Sequence, residues 1–77
     1  MFLELLHRID PDLHMARYYR VEVSRDLFGV ITLERRWGRI GGRGQSRRVA
    51  YPTIDHAQEA ALKLIRIKAR RGYCPAM

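Results

Sequence analysis

Four segments of the chain can form β-strands, and each connection between them is too short to contain a crossover helix. The segments span residues 2–9, 17–24, 30–37 and 45–51. Parallel neighbours need a connection of a dozen or more residues, whereas antiparallel neighbours can be joined by a tight turn. We therefore expect a small antiparallel sheet of about four strands.

Alternation of apolar and polar residues indicates how each strand is oriented. In each segment the apolar side is expected to consist of residues of one parity. These sets are Leu3, Leu5 and Ile9 with His7 in the first segment, Tyr19, Val21 and Val23 in the second, and Ile31, Leu33 and Trp37 in the third. The last two sets are expected to face inward, with Trp37 included if no bulge interrupts the strand.

The last third of the chain has the pattern of one amphipathic helix over about residues 54–71. Thr53 is a plausible N-cap, and Gly72 can end the helix. The apolar stripe consists of Ala57, Ala60, Ala61, Leu64 and Ile67, at steps of three and four residues. This stripe has to cover one side of the sheet, so we expect an α+β fold with one helix packed on one face.

Size and charge restrict the function of the chain. Its 77 residues predict one domain, which leaves little room for a cleft that encloses a small substrate. Fifteen Lys and Arg against eight Asp and Glu give a net charge of +7. We expect a cytoplasmic protein, because no signal peptide, membrane span or possible internal disulfide is evident around the single Cys74.

Arginine is concentrated in residues 35–48, around the only tryptophan. The cluster consists of Arg35, Arg36, Arg39, Arg43, Arg47 and Arg48, and no acidic residue lies between Glu34 and Asp55. Glycines between these arginines let backbone amides approach a phosphate, and an aromatic ring can stack on a base or sugar. The simpler interpretation is a hairpin turn with solvated arginines and a core tryptophan. Six uncompensated like charges nevertheless favour a binding role.

The order of motifs along the chain resembles the WGR domain family over about residues 8–73. Its signature is matched by Trp37-Gly38-Arg39, followed by Ile40-Gly41 and Gly44-Gln45. The flanks also resemble bacterial members, at Arg8-Ile9-Asp10-Pro11, Arg17-Tyr18-Tyr19, Leu27-Phe28-Gly29, Lys68 and Gly72-Tyr73. The resemblance departs at His14, where bacterial members usually carry asparagine.

The resemblance implies a small antiparallel sheet with one helix and a role in binding DNA ends. In poly(ADP-ribose) polymerases the signature tryptophan lies against the sugar of a terminal nucleotide, and nearby basic groups hold phosphates. That role would fall here on Trp37 and Arg39, with Arg36 less directly placed. The expected nucleic-acid site consists of Arg35, Arg36, Trp37, Gly38, Arg39, Arg43, Arg47, Arg48 and Lys68. No polymerase catalytic domain accompanies these residues, so we expect binding without signalling in cis.

The sequence bears on three classes of function. A nucleic-acid-binding module with little sequence specificity is favoured, with DNA preferred over RNA. A protein-interaction module for an acidic partner is the alternative. An enzyme is not expected, because His7, His14 and His56 are scattered and no nucleophile or phosphate-loop motif is present. We expect no cofactor, metal, membrane or small-molecule substrate, and the label "molybdate metabolism regulator" of some family members has no counterpart in these residues.

Overall fold

A computed structural model describes residues 1–76. Its sheet has the strand order β4-β3-β2-β1-β5, and every neighbouring pair is antiparallel. The elements are β1 (Phe2–Asp10), β2 (Met15–Arg25), β3 (Ile31–Arg39), β4 (Gln45–Tyr51), α1 (Ile54–Arg70) and β5 (Cys74–Pro75). The predicted α+β fold is confirmed. The short β5, which the sequence pattern did not indicate, adds a fifth strand beside β1.

One face of the sheet, the helix face, packs against α1 and contains the core. The register places Tyr19 of β2 opposite Leu6 of β1 and Trp37 of β3, so these side chains lie on the same side. The buried core consists of Leu6, Tyr19, Val21, Val23, Ile31, Leu33, Ala57 and Ala61. The predicted inward orientation of the second and third segments is therefore confirmed.

The apolar parity of β1 lies on the opposite, uncovered side, which we call the open face. Leu3 and Ile9 are exposed, whereas Leu6 is only 2 % exposed and, together with Phe2, supplies the core contacts of β1. The segment Phe2-Leu3-Glu4-Leu5-Leu6 has apolar residues at both parities. Alternation alone therefore cannot identify the buried side, and pairing with β2 decides it.

The helix begins and ends close to the predicted residues. The Thr53 hydroxyl accepts a hydrogen bond of 3.2 Å from the backbone amide of His56, which confirms the N-cap. Ala57 and Ala61 are buried, and their small side chains let α1 lie close to the sheet. Ile67, which was expected within the buried stripe, is 45 % exposed because it lies at the rim of a groove. Within residues 1–76, no helix is long and apolar enough to cross a membrane.

The β1–β2 connection is a single 3-10 turn, Pro11–Leu13, ended by His14. The Asp10 carboxylate accepts hydrogen bonds from the amides of Asp12 and Leu13 at 3.2 and 3.4 Å. His14 has φ +51°, in the left-handed region where asparagine is the more favoured non-glycine residue. His14 therefore adopts the left-handed conformation with which this turn ends.

Candidate nucleic-acid interface

The residues of the Trp-Gly-Arg signature close the end of the β3–β4 hairpin. A Cβ atom on Gly38 would lie 2.6 Å from the Cα atom of Gly44, and one on Gly44 would lie 2.7 Å from the carbonyl oxygen of Trp37. Tyr18 covers the same point from β2, with its ring 3.6 Å from the Gly38 position. Gly38 and Gly44 thus allow two backbones to meet, and their structural role here is to hold the hairpin in shape.

Trp37 is half-buried: it packs against the core and also lines a groove. This first groove has a volume of about 300 Å³ and lies between β2, β3 and the C-terminal half of α1. Its walls are formed by Tyr19, Arg35, Trp37, Leu64, Ile67 and Lys68. The two interpretations of the tryptophan are therefore not exclusive, because part of the indole supports the fold while another part remains accessible.

Two cations of the first groove lie against aromatic rings. The guanidinium carbon of Arg35 is 5.6 Å from the centre of the Trp37 ring. The ammonium nitrogen of Lys68 is 4.8 Å from the centre of the Tyr19 ring and 5.3 Å from that of Tyr73. Contacts of this type restrain a cation without neutralising it. Among residues 1–76, neither Arg35 nor Lys68 has a carboxylate within salt-bridge distance.

The ionisation of Lys68 and Tyr19 reflects this surplus of positive charge and the burial beside it. Burial lowers the pKa of Lys68, and the nearby charges of Arg71, Arg35 and Arg17 lower it further. Burial raises the pKa of Tyr19, although Arg35 acts in the opposite direction. An anion bound in the groove would favour the charged form of Lys68. The groove therefore has an excess of positive charge next to partly buried side chains.

A second groove continues the first toward the edge of the sheet. It has a volume of about 520 Å³ and shares Arg35, Leu64 and Ile67 with the first. Its remaining wall residues are Leu33, Arg47, Val49, Tyr51, Ala60 and Lys63. Arg35 and Arg47 lie opposite each other on β3 and β4, which places two like charges side by side. The two grooves together form a basic channel between α1 and the β3–β4 hairpin, called the channel below.

The predicted arginine cluster does not form one surface. Pairing on the helix face places Arg39 opposite Arg17, where both line a third, smaller pocket of about 150 Å³ beside His14. Arg35, Arg39 and Arg47 belong to the helix face, Arg36 and Arg48 to the open face, and Arg43 to the connecting turn. Strand alternation makes this division unavoidable, because successive side chains point to opposite sides.

Arg48 is already neutralised within the chain, which corrects the expectation of six uncompensated charges. Its Nε atom donates a hydrogen bond of 2.7 Å to a carboxylate oxygen of Glu34. This hydrogen bond is the main cause of the lowered pKa of Glu34. The other carboxylate oxygen of Glu34 lies 3.8 Å from a guanidinium nitrogen of Arg20, which is also on the open face. Arg48 therefore has a structural partner that the arginines of the channel lack.

Several residues of the channel were not identified from the sequence. Tyr19 and Lys63 line it, while Arg17 and Arg71 act on the charge of Lys68. The parity that Arg17 and Tyr19 share with the core residues of β2 could have indicated their side of the sheet. The positions of Lys63 and Arg71 depend on how α1 packs against the sheet, and the sequence pattern does not predict this packing.

Comparison with known proteins gives a consistent result over nearly the whole chain. A family model described as "WGR domain" matches residues 3–77. A protein of Sinorhizobium fredii (strain NBRC 101917 / NGR234), described as "Uncharacterized protein y4dW", is 43% identical over 70 residues. The alignment covers 91% of this chain and 34% of that protein, so the chain spans about a third of this relative's length. No solved structure matches the chain significantly.

Proposed function

The chain belongs to the WGR domain family, and from that premise we propose that the channel binds nucleic acid, with DNA favoured over RNA. WGR domains are in general modules of a nucleic-acid-binding type. The binding surface that we propose is the helix face around Trp37, and it does not include the whole arginine cluster. We propose that this module acts without catalysis.

One observation carries the proposal. Among residues 1–76, the cations along the channel have no carboxylate partner. Arg48, which lies next to Arg47 on β4 but faces the opposite side of the sheet, has one. Uncompensated cations beside one another cost folding stability, and phosphate groups would relieve that repulsion. Arg35, Arg47 and Lys68 would bind phosphates, and the accessible part of Trp37 would lie against a sugar or an unstacked base.

Recognition by such a surface depends on phosphates more than on base identity. The cations that line the channel are Arg and Lys side chains, which can bind the phosphates of any sequence. We expect low sequence specificity and affinity that falls steeply as salt increases, because each phosphate contact releases counterions. Unpaired ends or nicks would be preferred, since these expose a sugar or base to Trp37.

A binding comparison of blunt, nicked, single-stranded and covalently closed circular DNA tests the proposal. We expect the blunt or nicked form to bind best and Trp37→Ala to weaken binding. Arg39→Ala should also weaken binding, because Arg39 lies two residues from Trp37 on the same face of β3. Equal affinity for closed circles would eliminate end recognition while leaving binding to phosphates intact. Absence of salt-sensitive binding to any form, with an acidic peptide bound instead, would favour the protein-adaptor alternative.

A further inference from the structure

The open face of the sheet presents an apolar stripe along β1. Its outward residues are Leu3, Leu5, His7 and Ile9, which lie opposite Glu22, Arg20, Tyr18 and Ala16 of β2. Leu3 is 46% exposed and Ile9 is 64% exposed. An antiparallel sheet with one solvated face usually carries polar residues there, as Thr32, Glu34 and Arg36 do on β3. On the outward side of β1, three of these four residues are apolar and only His7 is polar.

The charges on the open face compensate one another. Glu34 lies between Arg48 at 2.7 Å and Arg20 at 3.8 Å, and Arg20 also contacts Glu22 at 3.3 Å. Arg36 is the remaining charged residue of this face, so most of the +7 charge of the chain lies elsewhere. The open face is therefore nearly neutral, whereas the helix face is strongly basic.

We propose that the open face is where a second copy of this chain docks. Two copies, each with a charge of +7, repel one another, and the repulsion is smallest where the arginines already have carboxylate partners. Phosphates or an acidic protein would find those arginines occupied. A second copy brings the same neutral surface and the same apolar stripe, as the symmetric interface of a two-fold dimer requires. Burial of Leu3 and Ile9 on both sides supplies the attraction.

Face-to-face packing of two sheets directs the two copies of α1 away from each other. The two channels then lie on opposite outer sides of the dimer, and neither is covered by the partner. This consequence rests on the proposed function: a dimer of this kind would bind two segments of nucleic acid at once. The dimer itself does not depend on nucleic acid, so the two ideas can fail separately.

Sedimentation equilibrium without nucleic acid tests the dimer, with Leu3→Glu as the disrupting variant. Leu62→Glu is the matched control, because Leu62 is 47% exposed but lies on the outer side of α1. We expect wild type and Leu62→Glu to dimerise with similar dissociation constants, and Leu3→Glu to weaken association at least tenfold. Circular dichroism establishes that each variant is folded, and Ile9→Glu replaces Leu3→Glu if the latter is not.

Two results would overturn the proposal. The wild-type chain could remain monomeric at every concentration, or Leu62→Glu could weaken association as much as Leu3→Glu does.

Bridging of nucleic acid is a second test of the dimer. Two DNA duplexes with different fluorescent labels are mixed with the protein, and energy transfer between the labels measures how often both duplexes are bound to one dimer. We expect wild type to bring the duplexes together and Leu3→Glu to bind single duplexes without bridging them. Bridging that survives in a monomeric Leu3→Glu variant would contradict the assigned surface.

Discussion

Arg35 and Trp37 lie two residues apart on β3, and the Arg35 guanidinium carbon is 5.6 Å from the centre of the indole ring. The spacing places both side chains on the helix face, where α1 provides the opposite wall. A cation and a partly accessible aromatic ring thus meet at one point of the groove wall. Trp37 thus packs against the core and lines the groove at the same time.

The fluorescence of Trp37 should report binding directly, because it is the only tryptophan in the chain. Its indole is half-buried at the channel, so a sugar or base placed against it changes its surroundings. We expect addition of a DNA oligonucleotide to change the emission intensity in step with binding measured by anisotropy of labelled DNA. Unchanged emission at saturating DNA would show that the nucleic acid lies away from Trp37.

The glycines of the β3–β4 hairpin should differ in their sensitivity to alanine. A Cβ on Gly38 would meet the Gly44 backbone at 2.6 Å, whereas one on Gly41 meets nothing within 4 Å. Gly41→Ala suffers only from its φ of +86°, a cost of about 1–2 kcal/mol. We expect Gly38→Ala to lower the free energy of unfolding further than Gly41→Ala does, as measured by urea denaturation. Equal losses would mean that the close backbone contact contributes little.

The pattern of the sequence predicts the strands, the helix and its cap because each depends on neighbours along the chain. Tyr19, Val21 and Val23 alternate with polar residues, and Thr53 precedes the helix that it caps. The buried side of β1 could not be predicted, since its apolar residues occur at both parities. The pairing of Arg48 with Glu34 was also missed, because it joins residues 14 apart through the β3–β4 register.

The candidate site shows the same limit more strongly. The arginine cluster is visible in the sequence, but its division between two faces depends on strand register. Lys63 enters the channel only through the packing of α1 on the sheet. Composition thus indicates that the chain attracts anions, while tertiary structure determines which cations are free to bind them.

Lys68 should make the free energy of unfolding depend on pH in the alkaline range. Burial lowers its pKa below the ordinary lysine value of 10.5, so the folded chain loses this proton at lower pH than the unfolded chain does. Unfolding then takes up a proton, and the free energy of unfolding rises with pH between the two pKa values. Tyr19 acts oppositely above its ordinary pKa of 10.0, because its pKa is raised, so the measurement stays below that pH.

Urea denaturation of wild type, Lys68→Met and Lys63→Met at a series of alkaline pH values isolates this contribution. We expect the free energy of unfolding to rise with pH in wild type and in Lys63→Met, which replaces an exposed lysine of the same helix. Lys68→Met should lack it. The same pH dependence in all three proteins would show that the surroundings of Lys68 impose no cost on its charge.

The central claim is tested most directly by comparing Arg47→Ala with Arg48→Ala in DNA binding at several salt concentrations. The two residues are neighbours on β4, but Arg47 lines the channel and Arg48 is bound to Glu34 on the open face. We expect Arg47→Ala to weaken binding and reduce the slope of log affinity against log salt by about 1, as loss of one phosphate contact does. Arg48→Ala should leave that slope nearly unchanged. Equal effects of the two substitutions, or a larger effect of Arg48→Ala, would contradict the assignment of the channel as the nucleic-acid surface.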